Sequence, residues 1–134
     1  MDFVSTRVIT DDVKRLVRFY EEITGISPTW YTDDFAELAT PSCTLALASK
    51  RTMDLFGAGA ARPADNHSVI IEFRVGDVDE AFRRLAPVIG NVVQEPTTQP
   101  WGNRSLLFRD PDGNLVNFFT PVTAPAIAKH DGPH

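Results

Sequence analysis

Arg7 and Glu72 are the side chains best placed to do chemistry in this sequence. The offset between them also separates Asp12 from Asp77 and Gly25 from Gly90. A cation and a carboxylate at equivalent places in two similar stretches imply an ion pair. Such a pair either neutralises itself in a wet cavity or fixes the polar atoms of a ligand. Glu72 is in addition a candidate base for metal-free proton transfer. The histidines offer less. His67 reads as a loop or strand-edge residue, and His130 and His134 fall in a Pro- and Ala-rich tail without a shaped pocket. Cys43, the sole cysteine, sits at a strand turn with no basic neighbour to activate it, so it reads as structural. Trp101 precedes a glycine and either plugs a cavity mouth or stacks on a ligand. Trp30 has Tyr31 beside it, and one of the two must face a ligand or a partner subunit.

Two similar units must position these groups. Val8-Ile9-Thr10-Asp11-Asp12-Val13 leads into an amphipathic run that stops at Gly25, and Phe73-Arg74-Val75-Gly76-Asp77-Val78 leads into one that stops at Gly90. Each reads as strand, Asp at a helix start, helix, glycine stop. Residues 3–9 alternate as a strand does, with Ser5 and Arg7 on one face and Thr6 and Val8 on the other. Further strands fit residues 29–32, 35–40, 44–48, 68–75, 92–95, 103–109 and 115–120, and Asp110-Pro111-Asp112-Gly113-Asn114 supplies the turn of the last hairpin. Pro87 makes the end of the second helix irregular. Residues 49–66 are small and punctuated, a connector, although Met53, Leu55 and Phe56 are too apolar for a bare linker and should dock on a surface or a partner subunit.

Composition bounds the functional classes. At 134 residues, 43% hydrophobic and 23% charged, the chain fits one ordinary globular domain. A net charge of −5 with scattered Lys and Arg argues against a nucleic-acid surface. No apolar run approaches the roughly 20 residues of a membrane helix, and no signal-peptide layout is seen at the N-terminus. A single cysteine precludes an internal disulfide and suits a cytoplasmic protein. The expected partners are small molecules or a second copy, a homodimer, with no nucleic acid and no membrane.

Trp101-Gly102-Asn103-Arg104, then Phe108-Arg109-Asp110-Pro111-Asp112-Gly113-Asn114, then Val116-Asn117-Phe118, resembles the closing hairpin of the vicinal oxygen chelate superfamily. That superfamily includes glyoxalase I, extradiol dioxygenases, fosfomycin-resistance enzymes and bleomycin-binding resistance proteins. Phe19-Tyr20 followed by Gly25 resembles its first-helix ending. The resemblance implies an α+β fold in which two tandem βαβββ modules form a curved mixed sheet around a cleft. Module one is then about 3–49, the connector 50–66, module two about 67–121, all within a single domain 1–121, with a flexible tail 122–134. The resemblance also implies a divalent metal held by His, Glu or Gln at matched strand positions. Here those positions fall on Ser5, Ala46, Ile70 and Asn117. Two of these cannot ligate, and Ser and Asn are poor ligands for a transition ion.

The expectation is therefore a cleft without a metal or other cofactor and without an assigned catalytic residue. Its lining is Ser5, Arg7, Trp30, Glu72, Arg74, Trp101, Asn117 and Phe119. This mixed aromatic and polar set suits a planar or amphipathic ligand. The expected function is a metal-independent small-molecule binding protein resembling the bleomycin-type antibiotic-binding resistance proteins. The alternative is a glyoxalase- or dioxygenase-like enzyme (lyase, isomerase or oxygenase) with non-standard or absent metal ligands. A regulatory module with a vestigial cleft is a third reading.

Overall fold

The computed structural model describes residues 1–131. The chain divides into two compact units, residues 1–66 with 111–113, and residues 67–110 with 114 onward. The first contains β1 (Ser5–Thr10), α1 (Val13–Thr24), β2 (Thr29–Thr32), β3 (Phe35–Ala39), β4 (Thr44–Ser49) and a 3-10 helix (Lys50–Leu55). The second contains β5 (Ile70–Arg74), α2 (Val78–Leu85), β6 (Val92–Thr98), β7 (Asn103–Arg109), β8 (Leu115–Pro121) and α3 (Ala124–Asp131). Two tandem βαβββ modules are thus present. Their hydrogen bonding gives two four-stranded mixed sheets, ordered β1-β4-β3-β2 and β5-β8-β7-β6. The single curved sheet expected from the sequence is not formed. In each module the outer strands have one ladder partner apiece, so each ladder stops at four strands.

The helix starts follow from the repeated aspartates. Asp12 accepts from the Arg15 N–H at 3.1 Å, and Asp77 accepts from Asp79 and Glu80 N–H, both at 3.1 Å. Val13, Leu16, Val17, Tyr20 and Ile23 form the buried stripe of α1, which ends at Gly25 with φ of 73°. The second glycine has no such role. Helix α2 stops at Leu85, since Pro87 cannot continue it, and the N–H groups of Val88 and Ile89 both turn back to Leu85 O at 2.8 and 2.9 Å.

Each helix covers one face of its own sheet. In module one Leu45, Leu47, Ala36 and Leu38 are buried on the face shared with Thr6 and Val8, by the register of β1, β3 and β4. In module two Phe118 is the centre of that layer. Its ring meets Phe108 at 5.2 Å and Phe73 at 5.6 Å, both edge-on.

The stretch 122–134, expected to be a flexible tail, contains α3. Thr123 Oγ1 accepts from Ala126 N–H at 3.4 Å, Ile127 N–H donates to Thr123 O at 2.9 Å, and Ala126 is buried. Pro125 lies in the first turn, where its missing N–H costs no helical bond. His134 lies outside the described residues. The connector is also more ordered than its composition suggests. Met53 docks against Ile9 and Ala48, with Phe35 packed alongside, whereas Leu55 and Phe56 remain exposed.

Between α2 and β7, Arg104 forks onto Asp79, Nε to Oδ2 at 2.8 Å and Nη2 to Oδ1 at 3.0 Å. That hydrogen bonding holds the Asp79 carboxyl below its ordinary 3.8 and pushes the Arg104 guanidinium up. A carboxyl with a depressed folded-state pKa stabilises the fold above its unfolded value, and that contribution is lost as pH falls through the folded one. Asp79→Asn is therefore expected to melt slightly below wild type at neutral pH. The gap should close as the pH drops below 3.8, which thermal melts across that range will show.

Candidate functional site

The face of each sheet away from its helix carries the candidate site residues other than Trp30 and Trp101. In module one β1, β4 and β3 set Arg7, Ala46 and Glu37 in one cross-strand row. Ala46, between them in that row, is buried. The Arg7 guanidinium lies 4.8 Å from the centre of the Phe35 ring and 5.6 Å from that of Phe56. The Tyr31 ring is 5.6 Å from Phe35, tilted by 47°. Hydrogen bonding toward Glu37, with the negative charge of that carboxylate adding to it, pushes the Tyr31 phenol up. Ser5 stands exposed at the start of β1 on the same face.

The bulge in β2 settles which of Trp30 and Tyr31 joins this set. Trp30 is in register with Ala36, on the side of the sheet that α1 covers, and the register shifts before Thr32 pairs with Phe35. Tyr31 takes the Arg7 side. Trp30, expected among the ligand-binding residues, is thus on the opposite side of its sheet from Arg7. Phe35, Glu37 and Phe56 join the face without having been expected from the sequence. The alternation of Phe35 and Glu37 carried the signal, but only the register with Ala48 and Ala46 shows which side they share.

In module two the corresponding face carries Ile70, Glu72 and Arg74 from β5, paired with Leu115, Asn117 and Phe119 from β8. Asn117 is buried, and its Nδ2 donates to Glu72 Oε2 at 2.8 Å. Its Oδ1 is buried as well, without a protein hydrogen-bond partner. Arg74 and Phe119 are engaged by the end of α3, through Asp131 and His130. Trp101 is apart from this face: it lies in the turn between β6 and β7 and is 68% exposed. Arg7 and Glu72, expected to pair, each have a partner within their own module, the Phe35 and Phe56 rings for the one and Asn117 for the other.

The metal positions implied by the family do not fit a metal. Ser5, Ala46, Ile70 and Asn117 offer one hydroxyl and one amide, and a carbonyl beside Glu72 makes only two hard oxygen donors. Among the described residues no three of His, Cys, Asp and Glu converge in a way that could hold a metal ion. Also among them, no helix is long and apolar enough to cross a membrane.

Comparison with known proteins agrees with this architecture. A curated relative, the uncharacterized protein YraH of Bacillus subtilis (strain 168), is 24% identical over 125 residues, covering 89% of this chain and 98% of that one. A glyoxalase/bleomycin resistance protein/dioxygenase family enzyme from Burkholderia phytofirmans PsJN is similar in structure, with a TM-score of 0.79 at 16% identity over 91% of this chain and all (100%) of the other. A protein of unknown function from Agrobacterium tumefaciens str. C58 gives 0.76 at 23% identity, covering 90% and 94%. At such identities the structural likeness speaks for the fold alone. The model of the Glyoxalase/Bleomycin resistance protein/Dioxygenase superfamily matches residues 2–118, and the chain belongs to that superfamily.

Proposed function

We propose that this protein binds a planar small molecule without the help of a metal, its output being affinity rather than turnover. The Arg7 face of module one carries the reading. A guanidinium held against two phenyl rings, with Tyr31 beside them and the Glu37 carboxylate within the same row, is a surface on which a flat ligand can stack and have its polar edge fixed. Tyr31 and Phe56 keep 61% and 66% of their surface exposed, so these rings are open to a ligand rather than used up in packing. The residues at the implied metal positions support the metal-free half of the proposal. Ser5 would add a polar contact beside Arg7. In module two Glu72, Arg74, Asn117 and Phe119 would offer polar and aromatic contacts of their own, with Trp101 in an exposed turn of the same module.

The experiment is a calorimetric titration of chelator-treated protein with a panel of planar aromatic compounds. Saturable binding that survives chelation, with the compounds recovered unchanged, is expected. Binding that appears only after metal is added, or chemical conversion of a bound compound, overturns the proposal. A homodimer belongs to the same reading, with Leu55, 85% exposed beside Phe56, covered by the second copy. Light scattering should then give twice the 14.8 kDa chain mass, and a monomer at all concentrations would remove that element.

A further inference from the structure

Part of the open face of module two is occupied by the chain itself. Arg74 Nη2 pairs with Asp131 Oδ1 at 2.5 Å, and Arg74 Nη1 donates to the His130 carbonyl at 3.4 Å. The His130 ring lies 5.1 Å from that of Phe119, tilted by 50°. Arg74 and Phe119 are direct cross-strand neighbours. The last turn of α3 therefore presents a carboxylate to the guanidinium and a flat ring to the phenyl group beside it. A cavity of about 370 Å³ lies on the Arg74–Asp131 side of this contact, walled by Arg74, Gly76, Thr120, Ile127 and Asp131 but not by Phe119 or His130. That volume lies within the range of small-molecule sites.

We propose that Arg74 and Phe119 form a subsite for a planar aromatic carboxylate, and that His130 and Asp131 are its internal stand-in. The inference rests on the small-molecule-binding reading above and names the ligand class for the second module. A guanidinium and a carboxylate make the strong, planar, charge-assisted pairing, and an aryl ring attached to that carboxylate reaches Phe119 as the His130 ring does. The stand-in is lightly held. The Arg74 and Asp131 side chains are 44% and 51% exposed, and ion pairs this wet contribute little, as does a single tilted ring contact. Such a competitor lowers the affinity of an incoming ligand by roughly tenfold and does not exclude it. Glu72 projects from the same face two residues before Arg74, so a ligand with one negative charge is favoured over one with two.

The test is calorimetry on the full chain with 1-naphthoate, its neutral analogue 1-naphthylmethanol and its cationic analogue 1-naphthylmethylamine. Wild type, the double variant His130→Ala/Asp131→Asn, Arg74→Gln and Arg74→Lys are compared, with thermal melts to show that each is folded. The acid should bind best, about tenfold more tightly to the double variant than to wild type. Arg74→Gln should lose that binding, and Arg74→Lys should keep part of it. Equal or tighter binding of the alcohol or amine overturns the ligand class while leaving the binding function standing. An acid affinity unchanged or weakened in the double variant overturns the stand-in. Failure of all three compounds, with planar ligands of every charge also failing at the Arg7 face, overturns the binding function itself.

Discussion

Gly102→Ala is expected to lower the melting temperature by about 10 °C, a loss of roughly 3 kcal/mol, as measured by calorimetry or circular dichroism. Two causes add. Gly102 sits in the β6–β7 turn at φ of 96°, which side-chain-bearing residues rarely adopt. A Cβ there would overlap Thr123 Oγ1 and come within 3.0 Å of the Ala126 Cβ. Neither neighbour can easily give way. Thr123 caps α3 through Ala126 N–H, and the N–H groups of Val122 and Thr123 both donate to Gly102 O, at 2.9 and 3.3 Å. The turn and the helix start are thus fixed to each other. Gly25→Ala is the control. Gly25 also has positive φ, at 73°, but a Cβ would meet nothing within 4 Å, so only the conformational cost of about 1 kcal/mol applies. Equal losses at both positions would show that the contact with α3 adds nothing.

Arg7→Ala is expected to weaken binding of a planar ligand about 30-fold, or roughly 2 kcal/mol, while shifting the melting temperature by no more than a few degrees. The guanidinium is exposed on its sheet face, and its contacts are with the rings of Phe35 and Phe56 rather than with buried polar groups. Removing it leaves no unpaired buried charge, so stability changes little. A ligand stacked there loses both the flat cationic surface and the hydrogen-bond donors. Arg7→Lys should fall between the two, since an ammonium keeps the charge but not the planar stacking surface. Glu72→Ala should alter binding at the face of module two and leave the chain folded. Unfolding of both alanine variants would show that Arg7 and Glu72 serve the structure, and an unchanged affinity in Arg7→Ala would remove the arginine from the site.

The repeat was legible because it is local. Asp12 and Asp77 cap the two helices as their spacing from the following apolar stripes implies, and the strands β2 and β7 have the limits that alternation and turn residues suggest. The second glycine plays no capping part because Pro87 acts earlier, and that irregular helix end was legible from the proline. Facing was legible where a strand alternates cleanly, as in β5, where Ile71 and Phe73 are more covered than Glu72 and Arg74. It was not legible where facing depends on a bulge or a partner strand. Trp30 and Tyr31 could be assigned only once β2 was laid against β3. Phe56 reaches Arg7 because a 3-10 helix, seated by Met53, carries it there from a stretch without periodicity. Helix α3 was invisible for a different reason. Its Ala- and Pro-rich sequence has no strong apolar stripe, and its anchors, Gly102 and Arg74, lie far away in the chain.

The central claim is a binding site that works without a metal. Its most direct test is elemental analysis of protein purified without chelators, followed by ligand titration of the same sample before and after chelation. The account predicts no stoichiometric Fe, Mn, Ni or Zn and identical binding isotherms. A tightly held metal at one per chain, with binding or turnover lost when it is stripped and regained when it is restored, would contradict it.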